Sequence, residues 1–114
     1  MVLLSSGMNK VRDLINTNLT KGQCGTGTST ATEEDSGLEQ EVGATLKTLI
    51  NNVADRLLTT SFTLSTTDGN GLSFTEFENQ FSTGESLLRI RHTPISKDNT
   101  KELTYIVTYS LEGE

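Results

Sequence analysis

The sequence predicts a mainly β protein, a small antiparallel β-sandwich with one amino-terminal helix. The clearest sign is the stretch 103–111, Leu-Thr-Tyr-Ile-Val-Thr-Tyr-Ser-Leu. Leu103, Tyr105, Val107, Tyr109 and Leu111 fall on one face, and Thr104, Ile106, Thr108 and Ser110 on the other. Successive side chains of a strand point to opposite faces, so this period of two buries one apolar row. A second sign is Leu58, Thr60, Phe62 and Leu64 alternating with Thr59, Ser61 and Thr63. The third is composition. Only 32% of the 114 residues are apolar, which favours short strands and long polar loops over a helical bundle.

Residues 5–19 read as the helix, with Met8, Val11, Leu14, Ile15 and Leu19 in an i, i+3, i+4 stripe. Ser5 or Ser6 is the expected cap, and Gly22 ends the run. Residues 1–22 thus form a helical segment, 23–37 a polar loop and 38–114 the sandwich, within a single domain. The loop contains Gly25-Thr26-Gly27-Thr28, able to run briefly extended, and closes in a polar turn at 32–37. Residues 41–57 carry two signals. Val42, Leu46, Leu49, Ile50, Val53 and Leu57 have helical spacing, while Gly43 and Asn51-Asn52 argue for a strand and a turn.

Asp68-Gly69-Asn70-Gly71 predicts a tight hairpin, because Asp-Gly and Asn-Gly reach positive φ readily. In the strand at 72–77, Leu72 and Phe74 lie on one side and Phe77 on the other, so a bulge near Glu76 is expected. Ser82-Thr83-Gly84-Glu85 is the next turn. Leu88, Ile90 and His92 then alternate with Leu87, Arg89 and Arg91, and Pro94 ends that strand or confines it to an edge. Residues 97–101 form a charged loop before the last strand.

Charge and residue chemistry narrow the function. The net charge of −6 repels phosphate backbones, and Arg89-Ile90-Arg91-His92 is too small a basic cluster to reverse that, so no nucleic-acid partner is expected. Met1-Val2-Leu3-Leu4 lacks the basic and long apolar regions of a signal peptide. No apolar run is long enough to span a bilayer, so no membrane partner is expected. Cys24 stands alone and can form no disulfide within the chain.

Gly-Thr-Gly-Thr lacks the lysine and spacing of a phosphate loop. Asp68 and Asn70 begin like a calcium loop, but Leu72 and Asn79 occupy later ligand positions. Glu76 and Glu78 share a face and read as an acidic surface row rather than a glycosidase pair. Cys24 and His92 read as packed residues rather than a dyad, and with one of each no metal set assembles. No catalytic residue, cofactor or metal site is predicted, and the chain is not expected to be an enzyme.

The order of these segments resembles phage tail-fibre, tail-collar and related virion proteins of tailed viruses. The residues that carry it are Gly25-Thr26-Gly27-Thr28, the turn Thr32-Glu33-Glu34-Asp35-Ser36-Gly37 with Leu38-Glu39-Gln40-Glu41-Val42, and Phe62-Thr63-Leu64-Ser65. Gly69-Asn70-Gly71 with Phe74-Thr75-Glu76-Phe77, Leu87-Leu88-Arg89-Ile90-Arg91, Pro94, Lys97 and Glu102 to Tyr109 follow in the same order. The chain departs at Glu78, where that pattern commonly has glycine. The resemblance implies that 45–50 is a strand, paired across 51–55 with 57–65. It also implies a virion structural protein, made in the host cytoplasm, that assembles as a trimer or ring and docks to other virion proteins. The other function compatible with a sandwich is a soluble carbohydrate- or ligand-binding module, with Tyr105 and Tyr109 stacking on sugars if their face is open.

Overall fold

The computed structural model describes residues 2–111. Met1 and residues 112–114, the ends of the helical and sandwich segments expected above, lie outside the described residues. A helix, α1 (Ser5–Asn18), runs directly into β1 (Leu19–Gly25). A single 3-10 turn (Gly43–Thr45) follows the polar loop, then β2 (Lys47–Thr48), β3 (Ile50–Ala54) and β4 (Leu57–Leu64). The chain closes with β5 (Leu72–Phe81), β6 (Ser86–Lys97) and β7 (Leu103–Ser110). The strands form two antiparallel sheets, ordered β2-β1-β5-β6 and β3-β4-β7.

The fold is therefore the expected small β-sandwich with one amino-terminal helix. Its core is a thin aromatic layer between the sheets. Phe62 of β4 meets Phe77 of β5 with ring centroids 5.0 Å apart, and Tyr105 of β7 stacks on Phe77 at 4.2 Å with planes 4° apart. Leu19, Cys24, Leu49, Leu64 and Phe74 complete the buried cluster. Each fully buried large apolar side chain contributes about 1.5–3 kcal/mol. Both strands with clear period-two patterns behave as read. Leu58, Thr60, Phe62 and Leu64 are buried, and β7 alternates along its whole length. In β7 the inward row is only half-buried, because β7 is an edge strand with a neighbour on one side.

Several expectations change. The helix begins at Ser5 with Leu4 in the cap position and no side-chain cap, so neither Ser5 nor Ser6 caps it. Only the Met8, Ile15 and Leu19 part of its stripe packs, while Val11 and Leu14 stay about half exposed. Gly22 does not end a helix. It sits inside β1, where a β-carbon would lie 2.6 Å from Phe62 Cδ2 and 3.1 Å from Phe77 Cε1, so glycine lets the strand cross the aromatic layer. Residues 23–25 are likewise strand rather than loop, and β1 lies between β2 and β5. The sandwich thus reaches back across the expected boundary at residue 38.

The strand expected at 45–50, with a turn at 51–55, is displaced. Lys47–Thr48 pairs with β1 in the first sheet, whereas Ile50–Ala54 pairs with β4 in the second. Asn51-Asn52 is inside β3 rather than in a turn, and Asn51 Nδ2 donates to Leu19 O at 2.8 Å where helix becomes strand. The turn falls instead at Asp55, the one described non-glycine residue with positive φ, at 53°. Asp68-Gly69-Asn70-Gly71 is a turn with positive φ at Gly69 and Gly71, but it is not a hairpin. It carries the chain from β4 in one sheet to β5 in the other.

The expected irregularity beside Glu76 is present: the β5–β6 register shifts between Phe74 and Glu76. It lets Phe74 and Phe77 both reach the core. Pro94 lies in β6, which is an edge strand. Lys97 belongs to the end of that strand and is buried, with Nζ donating to Asn70 Oδ1 at 2.8 Å, so the loop after β6 begins one residue later than expected.

Candidate functional site

The structure turns Glu76 and Glu78 into internal groups rather than a surface row. Both are buried on the outer face of the first sheet, beneath the polar loop. Glu76 Oε2 accepts from Gly27 N at 2.8 Å and Gln40 N at 2.9 Å, while Oε1 accepts from Glu39 N at 3.0 Å and Arg89 Nε at 2.8 Å. One carboxylate thus ties both ends of the loop to β5 and β6. Arg89 extends the tie, donating from Nη1 to Asp35 Oδ2 and from Nη2 to Ser29 O, both at 3.0 Å. Thr75 Oγ1 also donates to Gly27 O.

Gly25-Thr26-Gly27-Thr28 therefore cradles an internal carboxylate. A β-carbon on Gly25 would lie 2.4 Å from Glu76 Oε2 and 2.6 Å from Gln40 O, and one on Gly27 2.5 Å from Glu39 Cβ. Backbone must come that close for its N–H groups to reach the carboxylate. Glu39 repeats the device at smaller scale, accepting from Thr28 N at 2.7 Å and Ser29 N at 3.1 Å.

Electrostatics separate the two buried carboxyls. Burial opposes ionisation of Glu76, but the N–H groups of Gln40, Glu39 and Gly27 and the Arg89 guanidinium outweigh it and hold its pKa below the usual range. Burial dominates at Glu78 and raises its pKa, which a 2.8 Å hydrogen bond from Gln80 Nε2 offsets only in part. A raised carboxyl pKa means that the folded chain binds the proton more readily than the unfolded one. Stability from this group then falls as pH rises from the unfolded pKa through the folded one. Glu78→Gln is accordingly expected to raise the urea midpoint at neutral pH. The gain should shrink on acidification, as Glu78 in the parent chain takes up its proton. Denaturation of both chains across that pH range measures it, and a pH-independent difference would contradict the assignment.

Cys24 and His92 both neighbour Tyr105 but do not form a dyad. His92 Nε2 contacts Tyr105 OH at 2.7 Å, and the same tyrosine hydroxyl is a polar neighbour of the Cys24 thiol. Burial pushes the Cys24 pKa up to about 12, against the smaller lowering effect of the Tyr105 hydroxyl, so the thiolate is suppressed. Tyr105 is itself shifted upward by burial. The sulfur is thus a packed core atom with a polar neighbour. Asp68 and Asn70 are also occupied by the chain's own donors. Asp68 Oδ2 accepts from Ser65 N at 3.0 Å, its Oδ1 lies 3.2 Å from Lys47 Nζ, and Asn70 Oδ1 accepts from Lys97. Among the described residues no group of three or more His, Cys, Asp or Glu side chains is arranged to hold a metal ion.

A polar cleft of about 700 Å³ lies between the loop and β6, lined by Glu33, Glu34, Asp35, Leu88 and Arg89 among others. Its one cation, Arg89, is already committed to Glu76 and Asp35. An apolar groove of about 300 Å³ is lined by Leu3, Leu4, Gly7, Met8, Val11 and Leu111.

A distinctive surface is the outer face of the second sheet. β3 contributes Ile50, Asn52 and Ala54; β4 contributes Leu57, Thr59, Ser61 and Thr63; β7 contributes Thr104, Ile106, Thr108 and Ser110. None is ionisable, in a chain with 24 charged residues (9 basic and 15 acidic). Ile50 and Ile106 flank Ser61 in one row and are 75% and 67% exposed. Threonine pairs cross the strands, with Thr59 and Thr108 hydroxyls 3.4 Å apart and Thr63 and Thr104 hydroxyls 3.1 Å apart. The sequence places Thr59, Ser61, Thr63, Thr104, Ile106, Thr108 and Ser110 opposite the apolar rows but marks none of them as a contact surface. The signal of this face was the absence of charge on the outward positions of two amphipathic strands.

Tyr105 and Tyr109, the candidate sugar platforms, turn away from that face. Tyr105 is stacked on Phe77, and Asn79 Nδ2 donates to Tyr109 OH at 2.7 Å. Compared with protein-family models, with curated proteins and with solved structures, the chain matches none of them.

Proposed function

We propose that this chain is a virion structural protein of a tailed virus, serving in the tail, tail fibre or collar or as a capsid-surface appendage. It works by symmetric self-assembly, as a trimer or ring, and by docking to other virion proteins. Its place is the virion, after synthesis in the host cytoplasm. It carries out no catalysis in this reading. The observation that carries the proposal is the uncharged outer face of the second sheet, with Ile50 and Ile106 largely in water. Exposed apolar surface rimmed by polar groups marks a place for another protein. The apolar groove beside α1 offers a second contact of the same kind. The inward turn of Tyr105 and Tyr109 removes the feature that favoured a carbohydrate module.

Sedimentation velocity over a concentration series, with negative-stain images of the heaviest species, tests this reading. Closed oligomers of defined symmetry are the expected result. A rigid monomer at the highest concentration would remove it, and saturable glycan binding by that monomer would favour the carbohydrate module.

A further inference from the structure

Among the described residues four strands are sheet edges, and three are either short or carry charge, proline or broken register, features that blunt edge pairing. β2 is two residues long. β3 spans only five residues, although it too lacks charge, proline and any register shift. β6 carries Arg89, Arg91, Pro94 and Lys97, and its register with β5 is interrupted twice. β7 differs. At eight residues it is longer than β2 and β3, residues 103–109 include no charge and no proline, and their register with β4 is unbroken. Among the described residues β7 pairs only with β4. The apolar row behind it, Leu103, Tyr105, Val107 and Tyr109, is left half-buried.

Resting on the self-assembly reading above, we infer that β7 pairs with β7 of a second copy, antiparallel about a twofold axis through Ile106. The outward row Thr104-Ile106-Thr108 is a palindrome, so this register sets Ile106 against Ile106 and Thr104 against Thr108. The existing cross-strand pairs then run on into the partner. Thr63–Thr104 meets Thr108–Thr59 of the second copy, and Ile50–Ser61–Ile106 meets its own mirror sequence. The two sheets become one continuous six-stranded sheet. A self-complementary patch of this kind is what a closed dimer requires.

Charge also favours a copy of this chain at this edge. Two molecules of net charge −6 repel, and β7 brings them together without opposing like charges at the contact. The pairing should therefore strengthen as salt screens the remaining surface. It supplies a twofold contact that a trimer or ring does not contain, joining such assemblies two by two or standing alone as a dimer.

Cysteine cross-linking of the full chain reads the register directly. Opposed residues of an antiparallel pair have Cα atoms ~4.5–5.5 Å apart, within reach of a disulfide. Ile106→Cys is expected to give a covalent dimer on mild oxidation, while the parent chain gives none because Cys24 is fully buried. Thr104→Cys or Thr108→Cys alone should not cross-link, since each partner cysteine lies four residues away, about 13 Å. A mixture of those two chains should. Ile106→Lys, at a position already in water, should keep the far-UV spectrum and lose the dimer. Cross-linking of either threonine variant alone, or none at Ile106→Cys, would overturn the pairing. If the chain assembles but Ile106→Lys leaves its mass unchanged, the β7 contact falls and self-assembly stands. If the parent chain is monomeric throughout, both fall.

Discussion

Glu76→Gln is expected to destabilise the fold by about 3–5 kcal/mol, the usual cost of removing one partner from a buried ion pair. Glu76 is fully buried, and the Arg89 side chain is 4% exposed, so water cannot replace the lost charge. The substitution also sets an amide N–H2 against donors from Gly27, Glu39, Gln40 and Arg89 that now converge on carboxylate oxygens. The loop at 26–41 should release before the sandwich unfolds, because its ends are tied to this one group. Urea denaturation measures the global loss, and limited proteolysis within 26–41 measures the local one. An unchanged midpoint with an intact loop would mean that the loop holds itself.

The same group sets an acid limit. Its folded pKa lies below its ordinary value of 4.5, so its stabilisation is complete above that value and lost as pH falls through the folded one. Protease sensitivity of the loop should therefore rise on acidification in the parent chain and change less in Glu76→Gln, where Asp35 and Glu39 remain as the loop's acid-sensitive ties.

Phe77→Ala is expected to cost about 3–5 kcal/mol, for lost burial and for the cavity left behind. The thinness of the core makes this severe. Phe77 is the ring against which Phe62 of the opposite sheet tilts, at 5.0 Å, and on which Tyr105 stacks. Small domains are stable by only about 5–15 kcal/mol, so a large share disappears with one side chain. The chain has no tryptophan and two tyrosines, which gives a specific optical readout. The near-UV tyrosine signal should weaken together with the urea midpoint. A full-strength signal at a lowered midpoint would mean that Tyr105 is held by His92 rather than by the stack.

How much of the candidate site could be read beforehand depends on the residue. The pairing of Glu76 and Glu78 on one face was legible from their spacing, and the bulge beside Glu76 from the Phe74/Phe77 mismatch. That the face is covered was not. It depends on a loop more than thirty residues earlier folding back onto β5 and on Arg89 arriving from β6. Carboxylates on a strand normally mean solvent, and nothing near Glu76 in sequence marks the exception. Gly25-Thr26-Gly27-Thr28 read only as part of a polar loop because the group it cradles is far away in the chain.

Local pattern determined the class of the fold, the helix, the period-two faces of β4 and β7 and the positions of most turns. Each follows from side-chain direction or backbone preference over a few residues. Tertiary contacts alone decided that Leu19–Gly25 is an interior strand, that 47–48 and 50–54 belong to different sheets, and that Asp68–Gly71 crosses between them. Sheet membership is a choice among distant partners. Gly22, Cys24 and Asn51 carry no strand preference of their own and take their structure from the aromatic layer and helix end they pack against.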